Sequence, residues 1–146
     1  MSALARARPV LHEILVSHLV GGAAVVALRL SAAAKARGWR AVAWVPGEGP
    51  AAETLDRAQV ERRWYDLPAL KGSAAPRLVA CSRLAAGLFS LRPPLVHVHN
   101  PTVFGLLRPA LMASRARVVV HFQIEPAASD IEVSFPTLKY PCRGSS

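Results

Sequence analysis

The sequence predicts an α/β domain: a doubly wound, parallel sheet with helices on both faces. Three observations carry this expectation. Apolar β-runs alternate with helical patterns along the chain. Two of those runs, Leu95 to Pro101 and Arg117 to Gln123, end abruptly in His, Asn or Gln. A Gly21-Gly22 turn separates the first run from a long helical stretch. In an open sheet of this kind the strand interiors are buried, and polar groups collect in the crevice at the carboxyl ends.

The elements follow in order. Residues 1–9 read as a basic leader, with Arg6 and Arg8. Val10 to His18 predicts the first strand, bounded by the glycine pair. Ala23 to Arg37 predicts a helix of good formers, with Lys35 and Arg37 in its last turn and Gly38 as its stop. Arg40 to Val45 predicts a strand that ends at the Pro46-Gly47 turn. Ala51 to Ala58 predicts a short helix with Pro50 at its mouth, and Glu61 to Leu67 a third strand. Lys71-Gly72-Ser73 falls in a loop before a helix opened by Pro76. Along Arg77 to Leu91, the positions Leu78, Cys81, Leu84, Ala85 and Leu88 recur at three and four, one face of a helix. Arg92-Pro93-Pro94 stops it, and Leu95 to His99 predicts the fourth strand. Val103 to Ser114 predicts a helix that Pro109 should kink or restart. Val118 to Phe122 predicts the last strand. The domain so defined spans residues 10–126, and residues 127–146 lack periodicity and read as an irregular tail.

Composition narrows the function classes. With 146 residues, 52% of them hydrophobic, the chain can bury one core. Cys81 falls on the apolar helical stripe and Cys142 near the end, a spacing that fits no metal or redox motif and suits a reduced, cytoplasmic setting. The net charge of +9 is unevenly placed: no Asp or Glu occurs from Leu67 to Ile124, while Lys71, Arg77, Arg83, Arg92, Arg108, Arg115 and Arg117 all do. Solvated helix faces account for these charges as well; otherwise that half suits phosphate groups or an anionic membrane surface, including a peripheral place at the inner membrane face. Without aromatic interleaving it argues against nucleic acid. The stretch from Arg6 to Ala34 loosely imitates a secretory signal, but His12, Glu13 and His18 interrupt its apolar run. No stretch reaches the roughly 20 apolar residues that span a bilayer.

The residues able to carry chemistry lie at the strand ends. Gly21 and Gly22 would let a ligand approach the backbone, with the first amides of the helix facing an anion, although a plain tight turn explains them as well. GxGxxG is absent and Val45-Pro46 offers no acid for a ribose, which argues against a nicotinamide cofactor. His97 and His99 alternate with Val96 and Val98 and so share one side of their strand. A metal pair there lacks any neighbouring carboxylate or cysteine, so no metal is expected. His97 reads as a satisfied inner residue, His99 as the residue at the mouth that meets a ligand. Asn100 is placed to offer its amide to hydroxyls. His121 closes the last strand at the predicted crevice. No G-x-S-x-G turn supports a hydrolase.

Taken together, the strand leading into Gly21-Gly22-Ala23, the helix ending at Gly38, the strand ending His97-Val-His99-Asn-Pro and the run Val118-Val-Val-His121 resemble the N-terminal domain of family 4 glycosyltransferases of the GT-B fold. The likeness covers Val10 to Pro126. It implies a Rossmann-like domain forming the acceptor-binding half of an enzyme that moves a sugar, of hexosyltransferase type, from a nucleotide-sugar to a sugar or lipid-linked acceptor. It implies retention at the anomeric carbon and no cofactor or metal. By motif, Gly21 and Gly22 would face the donor diphosphate, His121 would be the active-site histidine, and His99 and Asn100 would line the acceptor side. The family's donor domain has no counterpart in this sequence, and Glu125 does not stand in for its glutamates. The chain is therefore expected to be truncated, frameshifted or half of a split enzyme whose donor domain lies on another chain. The competing expectation is a non-catalytic α/β module for anionic ligands or membranes.

Overall fold

A computed structural model describes residues 8–91 and 94–121 of the chain. Most of the leader, Arg92, Glu125, Cys142 and the tail at 127–146 lie outside the described residues.

Five parallel strands form one sheet in the order β3-β2-β1-β4-β5: β1 Val10–Ile14, β2 Arg40–Val45, β3 Glu61–Trp64, β4 Pro94–Val98 and β5 Arg117–Val120. Helices α1 (Gly22–Ala36) and α2 (Pro50–Arg57) join the first three strands; α3 (Leu67–Lys71) and α4 (Ala74–Ser90) lead to β4, and α5 (Pro101–Ser114) leads to β5. The expected doubly wound, Rossmann-like sheet is present. The chain runs β1 to β3 toward one edge and then returns to the other side of β1. The order therefore reverses between β1 and β4, the switch point where open sheets bind ligands.

Two cores flank the sheet. Val42, Trp44, Val96 and Val98 pack with Leu84, Leu88, Phe104 and Leu107 from α4 and α5. On the other face Ala43, Val45 and Leu15 meet Ala24, Ala27 and Leu55 from α1 and α2. The buried stripe of α1 is Ala24, Ala27, Ser31 and Ala34, small residues that let the helix lie close to the strands. Gly38 ends it with φ of 79°, its N–H donating to the Lys35 carbonyl, as expected of a glycine stop.

Several boundaries depart from expectation. Strand β1 stops at Ile14 rather than His18, because the chain leaves the sheet to reach α1. The predicted third strand stops at Trp64: Asp66 accepts from the Ala69 N–H and caps α3, with Pro68 in its first turn. Helix α4 turns Ala80, Cys81, Leu84 and Leu88 inward, whereas Leu78 is 69% exposed, and the other residues of the helix before Ala80 are exposed too. Helix α5 begins at Pro101 and runs unbroken through Pro109; its buried face of Val103, Leu107, Ala110 and Leu111 holds it together where one backbone donor is missing. Arg77, one of the basic residues in the acid-free half, is spent on the Leu70 and Gly72 carbonyls.

The tightest joint of the larger core lies between β2 and α4. A Cβ on Gly87 would come within 2.4 Å of the Trp44 ring, and that ring cannot yield because its Nε1–H donates to His12 Nδ1 at 3.0 Å. Gly87→Ala is therefore expected to destabilise the fold by about 1–3 kcal/mol, despite the better helix propensity of alanine. Urea unfolding measures this, and a stabilised variant would contradict it.

Candidate functional site

At the switch point, β1 contributes a side chain that the sequence reading treated only as an interruption. Glu13 lies in the middle of a buried apolar strand with no exposed surface. The register places it opposite His97. On each strand alternate residues face α1, which turns Glu13, His97, His99 and His121 to the same side of the sheet. Glu13 Oε2 accepts from His97 Nδ1 at 2.8 Å and from His99 Nε2 at 2.7 Å.

His121 stands just past β5, its backbone N–H donating to the Val98 carbonyl at 2.8 Å. Its half-buried ring stacks on His97, with centroids 5.6 Å apart and planes at 14°, and lies 6.0 Å from His99. The structure thus brings the three predicted histidines together and adds a carboxylate. Two atoms of this cluster, Glu13 Oε1 and His99 Nδ1, are buried with no hydrogen-bond partner among the described residues. Such a group ordinarily costs about 1–3 kcal/mol.

Two expectations are corrected. His99 is not at the mouth: its side chain has no exposed surface and points at Glu13. The buried carboxylate holds it in the inner cluster. Asn100 does not hold its amide oxygen free for hydroxyls, because Oδ1 accepts from the Thr102 and Val103 N–H groups and caps α5. Only its NH₂ remains for another partner.

Gly21 and Gly22 sit at the start of α1 on the same carboxyl edge. Gly21 is the N-cap residue, with φ of −135° and no capping side chain, and the first turn carries no acid. The first amides of α1 therefore have neither an intrahelical nor a side-chain partner. That extended backbone suits any residue, and a Cβ on Gly21 would meet nothing within 4 Å. A tight turn does not explain the glycine at 21. The pair borders a cavity of about 210 Å³ with Leu15 and Ser17, to which none of the histidines contributes.

Two other hollows lie nearby. His97 also lines a largely apolar groove of about 330 Å³ with Leu11, Leu30, Leu95 and Val119. A groove of about 740 Å³ at the carboxyl ends of β2 and β3 is lined by Trp64, Tyr65, Asp66 and Arg83. Tyr65 is held there by its hydroxyl, which donates to the Leu15 carbonyl at 2.6 Å, and burial pushes its acidity well down, its pKa rising above the usual phenol value. Sequence reasoning did not single out this groove.

Comparison with known proteins bears on this arrangement. The family described as "Glycosyl transferase 4-like domain" matches residues 21–144. No curated protein matches the sequence. Among solved structures, the fold is similar to that of Anabaena Alr3699/HepE in complex with UDP and glucose, with a TM-score of 0.65 and 12% identity. The likeness covers 88% of this chain and 35% of that one, so the chain spans about a third of that protein's length. At such identity the likeness is one of fold. The family match over most of the length is decisive, and the chain belongs to the glycosyl transferase 4-like family.

Proposed function

We propose that this chain is the acceptor-binding half of a retaining glycosyltransferase, and that a donor domain outside these residues completes the active site. The observation that supports the reading best is a shared edge at the switch point. An uncapped helix start and a half-buried histidine share the carboxyl edge of β1, β4 and β5. The first amides of α1 would face the diphosphate of a nucleotide-sugar, of which UDP-glucose is a natural probe given the ligands of the HepE structure.

In this reading the bond from the anomeric carbon to the diphosphate breaks as the acceptor oxygen bonds to that carbon, and the acceptor's hydroxyl proton passes to the departing diphosphate. The protein aligns the reactants and stabilises the departing diphosphate. His121 hydrogen-bonds the transferring sugar. Glu13, His97 and His99 lie behind it and hold its stacking partner in place. The sugar or lipid-linked acceptor enters along the same edge.

The test is transfer from a nucleotide-sugar to candidate acceptors, with a donor domain of the family supplied. His121→Ala is expected to lower transfer by about 10²-fold, the usual cost of removing one positioned donor. Gly21→Ala is expected to leave urea stability within about 0.5 kcal/mol, since nothing lies near its Cβ, while weakening nucleotide binding. Absence of both binding and transfer with any nucleotide-sugar would remove the reading.

A further inference from the structure

The transfer reading gives a direct role to the outermost of the clustered histidines and leaves two buried polar atoms of the cluster unexplained. A carboxylate oxygen accepts hydrogen bonds, so His97 Nδ1 and His99 Nε2 present their protons to Glu13 Oε2. A neutral ring so placed keeps its second nitrogen as a lone pair: Nε2 on His97 and Nδ1 on His99. The latter is buried and without a partner among the described residues, as is Glu13 Oε1. One ligand nitrogen from each of His97, His99 and His121 lies within 4.8 Å of the other two.

We propose that these three histidines bind one zinc-type divalent cation and that Glu13 orients two of the rings for it. An imidazole that ligates a metal almost always gives its other N–H to a carboxylate or carbonyl, which fixes the tautomer and aims the lone pair. Here a single carboxylate does this for two rings at once. Three histidines with an open fourth position suit zinc, and imidazole sets also accept cobalt and nickel. Tetrahedral zinc with nitrogens at 2.0–2.1 Å sets its ligands about 3.4 Å apart. The cluster therefore tightens on loading, and His121, half-buried just past the edge strand, is the ring expected to shift. The fourth position is left for water or a ligand oxygen. The site shares His121 with the transfer reading but needs no nucleotide, so a zinc titration without nucleotide tells the two apart.

The test uses the full chain, stripped with chelator and titrated with zinc alone by calorimetry, with metal content read by mass spectrometry. One zinc per chain is expected. His121→Ala should weaken binding at least 10-fold without changing the far-ultraviolet circular dichroism, and His121→Cys should restore it. Glu13→Gln, which keeps the shape but not the acceptor pair, should weaken it by about 10- to 100-fold. Cobalt should give the visible bands of a tetrahedral centre, and His121→Ala should lose them. No stoichiometric zinc, or equal affinity in wild type and His121→Ala, overturns the proposal. Loss of affinity in His18→Ala instead would assign the metal to a surface histidine and overturn it as well.

Discussion

Glu13→Ala is expected to lower the free energy of unfolding by about 3–5 kcal/mol, one of the two largest effects of a single group in this fold. The carboxylate has no exposed surface and is the acceptor for two buried imidazoles. Removing it leaves His97 Nδ1 and His99 Nε2 unpaired in the protein interior and opens a cavity between β1 and β4. The strand ladder survives, because its bonds are made by the backbone. Glu13→Gln fills the same volume and retains one acceptor oxygen, but sets an NH₂ group among N–H donors; its cost should be smaller, about 1–3 kcal/mol. Equilibrium unfolding in urea ranks the three proteins. A Glu13→Ala variant within 1 kcal/mol of wild type would show that the carboxylate does not hold the two rings.

The second large effect is set by acidity on the opposite face of β1. His12 is fully buried; its Nδ1 accepts from Trp44 Nε1–H, which leaves Nε2 to carry the proton toward the Leu91 carbonyl at 3.4 Å. The ring is thus neutral. Burial lowers its pKa to about 4, the Leu91 carbonyl opposing the shift and Arg63 adding to it. In the unfolded chain the same ring titrates near 6.5. The unfolded state therefore binds the proton more tightly, and stability falls as the solution becomes acidic. The contribution is fully present above pH 6.5, is lost between 6.5 and about 4, and levels off below that. The loss amounts to roughly 3 kcal/mol at 1.36 kcal/mol for each pKa unit. Histidine-selective nuclear magnetic resonance on folded protein should find His12 neutral and Nε2-protonated at pH 5. A midpoint near 6.5 in the folded state would contradict this.

Much of the architecture was legible because the relevant signals are local. The bounds of β2 were read directly, since Pro46-Gly47 terminates a short apolar run. Gly38 marked the end of α1 through the left-handed backbone it adopts. The polar endings of β4 and β5 correctly located His97 and His121. Helix α3 was missed although Asp66 and Pro68 spelled out its start, because the apolar Leu67 read as a continuation of the strand. Glu13 was missed for a different reason. Its meaning depends on β1 lying beside β4, and strand order is a property of the whole chain that no window of residues contains. His99 was misplaced by the same gap: a strand end reads as a mouth only until a buried acid on the next strand turns the ring inward. Asn100 was read as a ligand contact when Asn-Pro before an apolar run is also a helix start.

In the proposed function, ligand chemistry gathers at the carboxyl edge between β1, β4 and β5. The most direct measurement follows backbone amide and imidazole resonances of the full chain while UDP is added to millimolar concentration, where weak binding is visible. Saturable shifts at the Gly21, Gly22 and Ala23 amides together with the His121 ring are expected. Shifts confined to Trp64, Tyr65 and Arg83, in the groove beside β3, would place the ligand elsewhere and contradict the claim; so would a spectrum that does not change.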